Sequence, residues 1–305
     1  MPAAQQNSHQ FFDNPYFLLV LTSLFWGGNA VAGKFAVGQI DPFVLTALRW
    51  LLASLMFAIL ARPHFARDWP VLRQHIVLLL ALGMAGFALF NFGLYAGLQY
   101  TSAINVTIEQ AAIPLFILLL NRWFFAQAVK PMQWLALLMA TAGVVFTVSR
   151  GDPLSILQGG LNRGDGMMLG ACLCYALYSV GLRWRPAVHW SGMMLLMSCG
   201  ALMLCVPALA IKYAHSGLAV PSATGWAVVL YAVIFPTICS QLFFLRAVAL
   251  IGANRAGLFI NLVPVFAAGL AVLLLGEKIH SYHLMGFVLV LGGIALSEKT
   301  TRSAV

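Results

Sequence analysis

Apolar residues in this chain are gathered into long runs separated by short polar connections. A helix needs about 20 largely apolar residues to cross the hydrocarbon core of a bilayer. Ten runs qualify, at roughly 16–37, 43–61, 74–98, 102–121, 132–149, 165–184, 190–212, 224–246, 252–275 and 281–297. They use most of the 305 residues and leave no room for a soluble domain. The pattern predicts an all-α integral membrane protein with ten transmembrane helices. Residues 1–15 are polar and lack Lys and Arg, and the first run is too long for the core of a signal peptide. It is expected to stay in the protein as the first span.

Composition sharpens this picture by exclusion. Apolar residues make up 62% of the chain and charged ones 8%, against about 45–50% and about 25% in soluble domains. So few charges cannot clothe a water-soluble enzyme, and so apolar a chain is not a disordered one. The net charge of +9 comes from Lys and Arg in ones, twos and threes. A nucleic-acid binder would show a basic block or an aromatic-basic ladder. The five cysteines, Cys172, Cys174, Cys199, Cys205 and Cys239, all fall inside apolar runs without zinc or redox spacing, and read as small apolar side chains. His280 and His283 stand three apart with no third ligand. No metal and no cofactor is expected.

Charge placement gives the orientation. With both termini in the cytoplasm, eleven Lys and Arg fall in loops and tails on that side, against Arg150, Arg163, Lys212 and Lys278 on the other. Basic loops are retained on the cytoplasmic side. A multi-pass protein of the cytoplasmic (inner) membrane with both ends inside is therefore expected. Lys34 and Arg49 are left within the first two spans.

The two halves of the chain are related. A shift of 150 lays residues 94–146 on 244–296 without a gap, so that Ala103 meets Ala253, Pro114 meets Pro264 and Gly143 meets Gly293. Asn91 falls on Gln241 by the same shift, and a shift of 149 lays Trp26-Gly27-Gly28 on Tyr175-Ala176-Leu177. The expected organisation is an N-terminal tail 1–15, a first repeat 16–149, an extracytoplasmic connection 150–164, a second repeat 165–297 and a tail 298–305. Five spans per half is an odd number, so the second copy is inverted relative to the first. Two inverted five-helix repeats around a central cavity are the plan of a secondary transporter, in which exchange of the repeats' conformations moves the opening from one side to the other.

Trp26-Gly27-Gly28-Asn29, Ala47-Leu48-Arg49-Trp50, the region of Pro114 and Gly276-Glu277 together resemble the EamA type of the drug/metabolite transporter superfamily, over residues 16–297. The resemblance implies a basket of two inverted repeats that carries amino acids, other metabolites or drugs, mostly outward. Within the family the chain is most similar to exporters of aromatic and other amino acids of the YddG type. Gln127 departs from the pattern, standing where the second repeat has Glu277.

Of the eight acids, Glu109 alone sits well inside a span, while the others, Asp165 and Glu277 among them, fall in tails, loops or span ends. An ionised group in hydrocarbon costs at least about 2.5–3.5 kcal/mol, so Glu109 must face a wet cavity or a partner. Either it binds a substrate ammonium or a proton, or it pairs with Lys34 or Arg49. The intraspan amides Asn29, Asn91, Asn105, Gln110, Gln241 and Asn261 should point inward, as cavity groups or as inter-helix hydrogen bonds. Asn91, Gln241, Asn29 and Asn261 are taken as cavity candidates. Trp26, Tyr95, Tyr175 and Tyr178 lie near span centres rather than in the interfacial belt, and would line a cavity suited to flat or apolar side chains. The other tryptophans, Trp50 included, read as interfacial anchors. Pro114 and Pro264 are matched hinge or kink candidates, each freeing a backbone carbonyl. Gly93 with Gly97, and Gly166 with Gly170, fit close helix contacts.

Rival classes lack their signatures. No P-loop, no Gly-x-Ser-Gly loop, no intramembrane aspartate pair of a protease and no filter-like loop is present. The expectation is an exporter of small metabolites, amino acids first and a broader metabolite or drug range second. Its partners are the bilayer and the substrate, with proton coupling left open and a monomer or weak dimer as the assembly.

Overall fold

The computed structural model describes residues 14–126, 131–157, 162–217 and 219–302. These are helical, with no strand among them. Most apolar runs begin at a polar residue that caps the first turn. Asn14 accepts from the amides of Tyr16 and Phe17 and opens α1 (Pro15–Phe35). Asp41 opens α2 (Pro42–Leu72), with a proline in the first turn as in α1. After a tight turn at Arg73–His75 come α3 (Ile76–Gly83) and α4 (Phe90–Gly97), joined through a π turn at Met84–Leu89. Ser102 caps α5 (Ala103–Glu109), and α6 (Ala112–Phe125), α7 (Pro131–Val148) and the short α8 (Pro153–Leu157) follow. Asn162 caps α9 (Arg163–Gly181), and His189 caps α10 (Trp190–Ser216). Ser222 caps α11 (Ala223–Ala232), which continues through a second π turn, Val233–Cys239, into α12 (Ser240–Ile251). The chain ends with α13 (Ala253–Gly257), a 3-10 turn at Leu258–Leu262, α14 (Val263–Leu275) and α15 (Ser281–Arg302).

Eight helical stretches are long and apolar enough to cross a membrane, where ten spans were expected. Two of the expected spans lie on one unbroken stretch, Pro42–Gly97, of 56 residues. The tenth appears as a shorter apolar segment, Ser281–Gly293, within α15. At 1.5 Å per residue the long stretch would reach roughly 80 Å, far beyond a hydrocarbon core of about 30 Å. It folds back instead. His75 leaves helical geometry at φ −111° and ψ 12°, and α4 returns to pack on α2. The second span was expected to stop near residue 61, but α2 runs on through Pro63 and Pro70, both of which are exposed.

Packing pairs distant parts of the chain. The main partners are α7 with α15, α2 with α10, α1 with α14 and α12, and α9 with α4 and α6. Small residues allow the closest approaches. A Cβ on Gly97 would stand 2.8 Å from the Gly164 carbonyl oxygen, and one on Gly143 would stand 2.9 Å from that of Gly286. The expected pairing of Gly166 with Gly170 is replaced, since Gly170 faces open space and Gly164 makes the contact. Outward-facing side chains such as Leu55, Leu138, Val206, Leu273 and Val288 are more than half exposed. In water this would be an adhesive surface; in a bilayer it is the ordinary lipid face.

Candidate functional site

The irregular stretches of backbone converge on one cavity of about 490 Å³, within the range of small-molecule sites. Its walls include both π turns, the break between α5 and α6, and the 3-10 turn before α14. In hydrocarbon, backbone groups released from a helix must find partners inside the protein. Here side chains meet several of them. The Phe87 carbonyl accepts from the Trp50 indole (3.2 Å) and the Asn91 amide (2.6 Å). In the second π turn the Pro236 carbonyl accepts from the Trp26 indole at 3.1 Å, and the Ala232 carbonyl accepts from the Thr237 hydroxyl at 2.7 Å.

Arg49 is the centre of the polar lining. It is 6% exposed and lines the cavity. Its Nε donates to Thr237 Oγ1 at 3.0 Å, and its Nη1 contacts Asn29 Oδ1 and Asn91 Oδ1, both at 3.0 Å, and the Tyr95 hydroxyl at 2.6 Å. Tyr95 also donates to Asn29 Oδ1 at 3.0 Å. Residues from α1, α4 and the second π turn therefore hold one guanidinium in one orientation. Around it stands an aromatic wall. Trp50 stacks flat on Phe87 with centroids 4.2 Å apart, Phe87 meets Tyr178 at 5.6 Å, and Phe90 meets Tyr175 at 5.0 Å.

Of the residues singled out in the sequence, Trp26, Asn29, Asn91, Gln241 and Asn261 line this cavity. Tyr175, Tyr178, Pro114 and Pro264 line it too. The Gln241 amide lies 3.8 Å from Met194 Sδ. Tyr95 is buried behind the lining, touching it through Arg49. Both prolines stand just past helix breaks rather than at kinks within continuous spans.

Glu109 is not in the lining. It is fully buried at the end of α5, and none of its carboxyl oxygens has a donor. Its neighbour is Asp165, in the first turn of α9, equally buried and equally without donors. Neither expected basic partner reaches it. Lys34 donates to the carbonyls of Leu98 (2.8 Å) and Thr101 (2.7 Å), with Glu277 beside it. Glu277 in turn accepts from the amides of Ala103 and Ile104, capping α5 from the loop before α15. Gln127, its counterpart in the first half, lies outside the described residues. His283 is 3% exposed and lies 2.9 Å from Asn105 Oδ1. No metal-ligand group is found among the described residues.

Three residues were misread or passed over in the sequence. Trp50, read as an interfacial anchor, is 4% exposed and forms part of the cavity wall. Asp165, read as lying at a span end, is buried against Glu109. Arg49 was considered only as a partner for Glu109. Its signal was present, because a cation left in mid-span with no acid on its own helix turn has to be explained.

Known proteins resemble this chain over its length. The transporter YyaM of Bacillus subtilis is 27% identical over 291 residues, covering 95% of each chain. A second transporter of that organism, YetK, is 24% identical over 92% of this chain and 85% of its own. The inner membrane transporter YicL of Salmonella typhimurium is 24% identical over 93% of this chain and 95% of its own. One solved crystal structure shares the fold at a TM-score of 0.61 and 19% identity, covering 95% of this chain and 98% of its own. These relatives bear the names of transporters, not enzymes. The EamA-like transporter family matches residues 14–149 and again 162–298, and this multi-pass membrane chain belongs to it.

Proposed function

We propose that the protein is a secondary transporter that exports small metabolites, foremost neutral and aromatic amino acids, by alternating access of two inverted five-span repeats. The observation that carries this reading is that the helix irregularities repeat at a spacing of 150 and meet at one cavity. The π turn Met84–Leu89 answers to Val233–Cys239, and Pro114 to Pro264. The left-handed residues that end α6 and α14 are Ala126 (φ 49°) and Gly276 (φ 67°), again 150 apart. Dividing Pro42–Gly97 at His75 and counting α15 brings eight spans to ten. Numbered so, the packed pairs five–ten and two–seven each map onto themselves when the halves are exchanged. Pair one–nine maps onto six–four, and one–eight onto six–three. A pseudo-twofold relation between residues 16–149 and 165–297 accounts for all of them, and such relations place substrate at the repeat interface.

Eleven basic loop and tail residues against four favour both termini in the cytoplasm, and the name of YicL favours the inner membrane. A broader metabolite or drug exporter is the second reading, favoured by the aromatic wall. The test is counterflow in proteoliposomes loaded with unlabelled amino acid and presented with labelled phenylalanine, methionine or threonine, with and without a pH gradient. Protein-dependent exchange of these amino acids, not displaced by lipophilic cations, is the expected result. Displacement by such cations favours the drug exporter, and exchange of no amino acid overturns the amino-acid reading.

A further inference from the structure

We propose that Arg49 is the docking point for a carboxylate of the transported molecule, so that the substrate class is monoanionic or zwitterionic and carries an apolar or flat body. This rests on the transporter reading above and adds a residue and a chemistry to it.

The argument is one of charge accounting around the cavity. An arginine side chain stays protonated in proteins, and Arg49 is buried. A buried charge is costly unless paired and hydrogen-bonded. All four contacts of Arg49 end on neutral oxygens, those of Thr237, Asn29, Asn91 and Tyr95. No carboxylate touches it among the described residues. The other intraspan cation is treated differently, since Lys34 has two carbonyl acceptors and the charge of Glu277 nearby. Glu109, the acid that might have answered Arg49, is buried against Asp165 and outside the lining. The charge at the cavity wall therefore lacks its counter-ion.

Geometry says from which side an anion would come. The bonds to protein use Nε and Nη1, and none uses Nη2. Arg49 contributes to the cavity surface, and Nη2 is not among its buried unpartnered atoms. A fixed guanidinium with free donors on the cavity side is suited to an oxyanion. Three separate chain segments hold it, so little orientation is left to arrange when a ligand arrives. Arg49 is the one Lys or Arg in the lining, and the rest is largely apolar and aromatic. One positive charge matches a carboxylate better than a dianionic phosphate ester. The stacked Trp50 and Phe87, with Phe90, Tyr175 and Tyr178, offer the remaining surface to a hydrocarbon or ring.

The experiment compares L-phenylalanine, 3-phenylpropionate, phenylalaninamide and phenyl phosphate as competitors of labelled phenylalanine counterflow, and as ligands that raise the thermal unfolding midpoint of the purified protein. The two carboxylates are expected to compete and to stabilise. The amide, which keeps the ring and the ammonium, is expected to be weaker by roughly 10- to 100-fold, the worth of a charge-assisted hydrogen bond. Phenyl phosphate is expected to fall below both carboxylates, and a phosphate that outcompetes them overturns the carboxylate assignment. Arg49→Lys should keep the preference for acid over amide at reduced affinity, and Arg49→Gln should erase it. If the amide matches the acid in the wild-type protein, the docking role is overturned while exchange itself keeps the transporter reading intact. If folded protein exchanges none of the four, both readings fall together. The wild-type comparison needs no variant to fold.

Discussion

Two charged sites are buried in this protein, and they are treated in opposite ways. Around Arg49, neutral oxygens from three segments converge and one side of the guanidinium is left toward the cavity. Around Glu109 and Asp165 nothing donates at all, and no water reaches either group. The first arrangement spreads a charge over dipoles and leaves room for an ion from outside. The second lacks a donor that only a proton held between the two carboxyls can supply, because like charges at close range in an apolar site cannot both persist. A permanent cation is solvated by its protein; a facing pair of acids is completed by hydrogen.

The sharpest way to break this comparison is to remove acceptors from the cation. Asn29→Leu together with Asn91→Leu leaves Nη1 with the Tyr95 hydroxyl alone. Orphaning buried donors of a charged group costs about 1–3 kcal/mol or more, so the thermal unfolding midpoint should drop by several degrees and exchange should fall at least about tenfold. A midpoint within a degree of wild type would mean that water already carries this charge. Next in size is the acid pair. Glu109→Gln gives Asp165 a permanent donor, so folding should be kept, while any response of exchange to pH between about 5.5 and 8 should be blunted. Besides Asp165, the titratable groups near this site are Cys172, whose thiol meets the Glu109 carbonyl at 3.5 Å, Tyr282 with Arg150 beyond it, His283 on Asn105, and Lys34 with Glu277. An unchanged pH profile in the variant would assign the response to one of these. A smaller effect is expected of Trp50→Phe, which keeps the stack on Phe87 and loses the bond to its carbonyl. That is worth about 1 kcal/mol, read as a shift of a few degrees with exchange retained. The smallest should come from Arg67→Gln, because the Arg67 side chain is 70% exposed in its 2.9 Å pair with Asp68. Such surface pairs contribute little, and a midpoint indistinguishable from wild type is the outcome to check.

Much of the architecture was legible because length and apolarity are properties of a segment. The runs that became α1, α7, α9 and α10 could be placed to within a few residues. Pro114 and Pro264 marked two interruptions, since a missing amide is written in the residue itself. The π turn at Met84–Leu89 had no such mark, having no proline. It arises from tertiary demands on Phe87 and Asn91 that no local pattern carries. The continuation of α2 through Pro63 was hidden for the reverse reason, because a proline on an exposed face leaves the helix enough other support. Trp50 and Asp165 were misjudged because position along a span says how deep a residue lies, not which way it faces. Arg49 was seen but not understood, since its acceptors are 20, 42, 46 and 188 residues away.

The π turn at Met84–Leu89 amounts to one surplus residue in an otherwise α-helical path. Each residue of an α-helix turns the chain by about 100°. Deleting a single residue from this turn would let the path close into ordinary helix and swing everything after it by that angle relative to α3. Asn91 and Tyr95 would leave Arg49 together, while Leu94 and Gly97 would lose their seats in the core and against Gly164. The recognition of a charge in this cavity thus depends on a count of residues as much as on their kinds, and one codon's worth of shortening would undo it without changing a single side chain at the site.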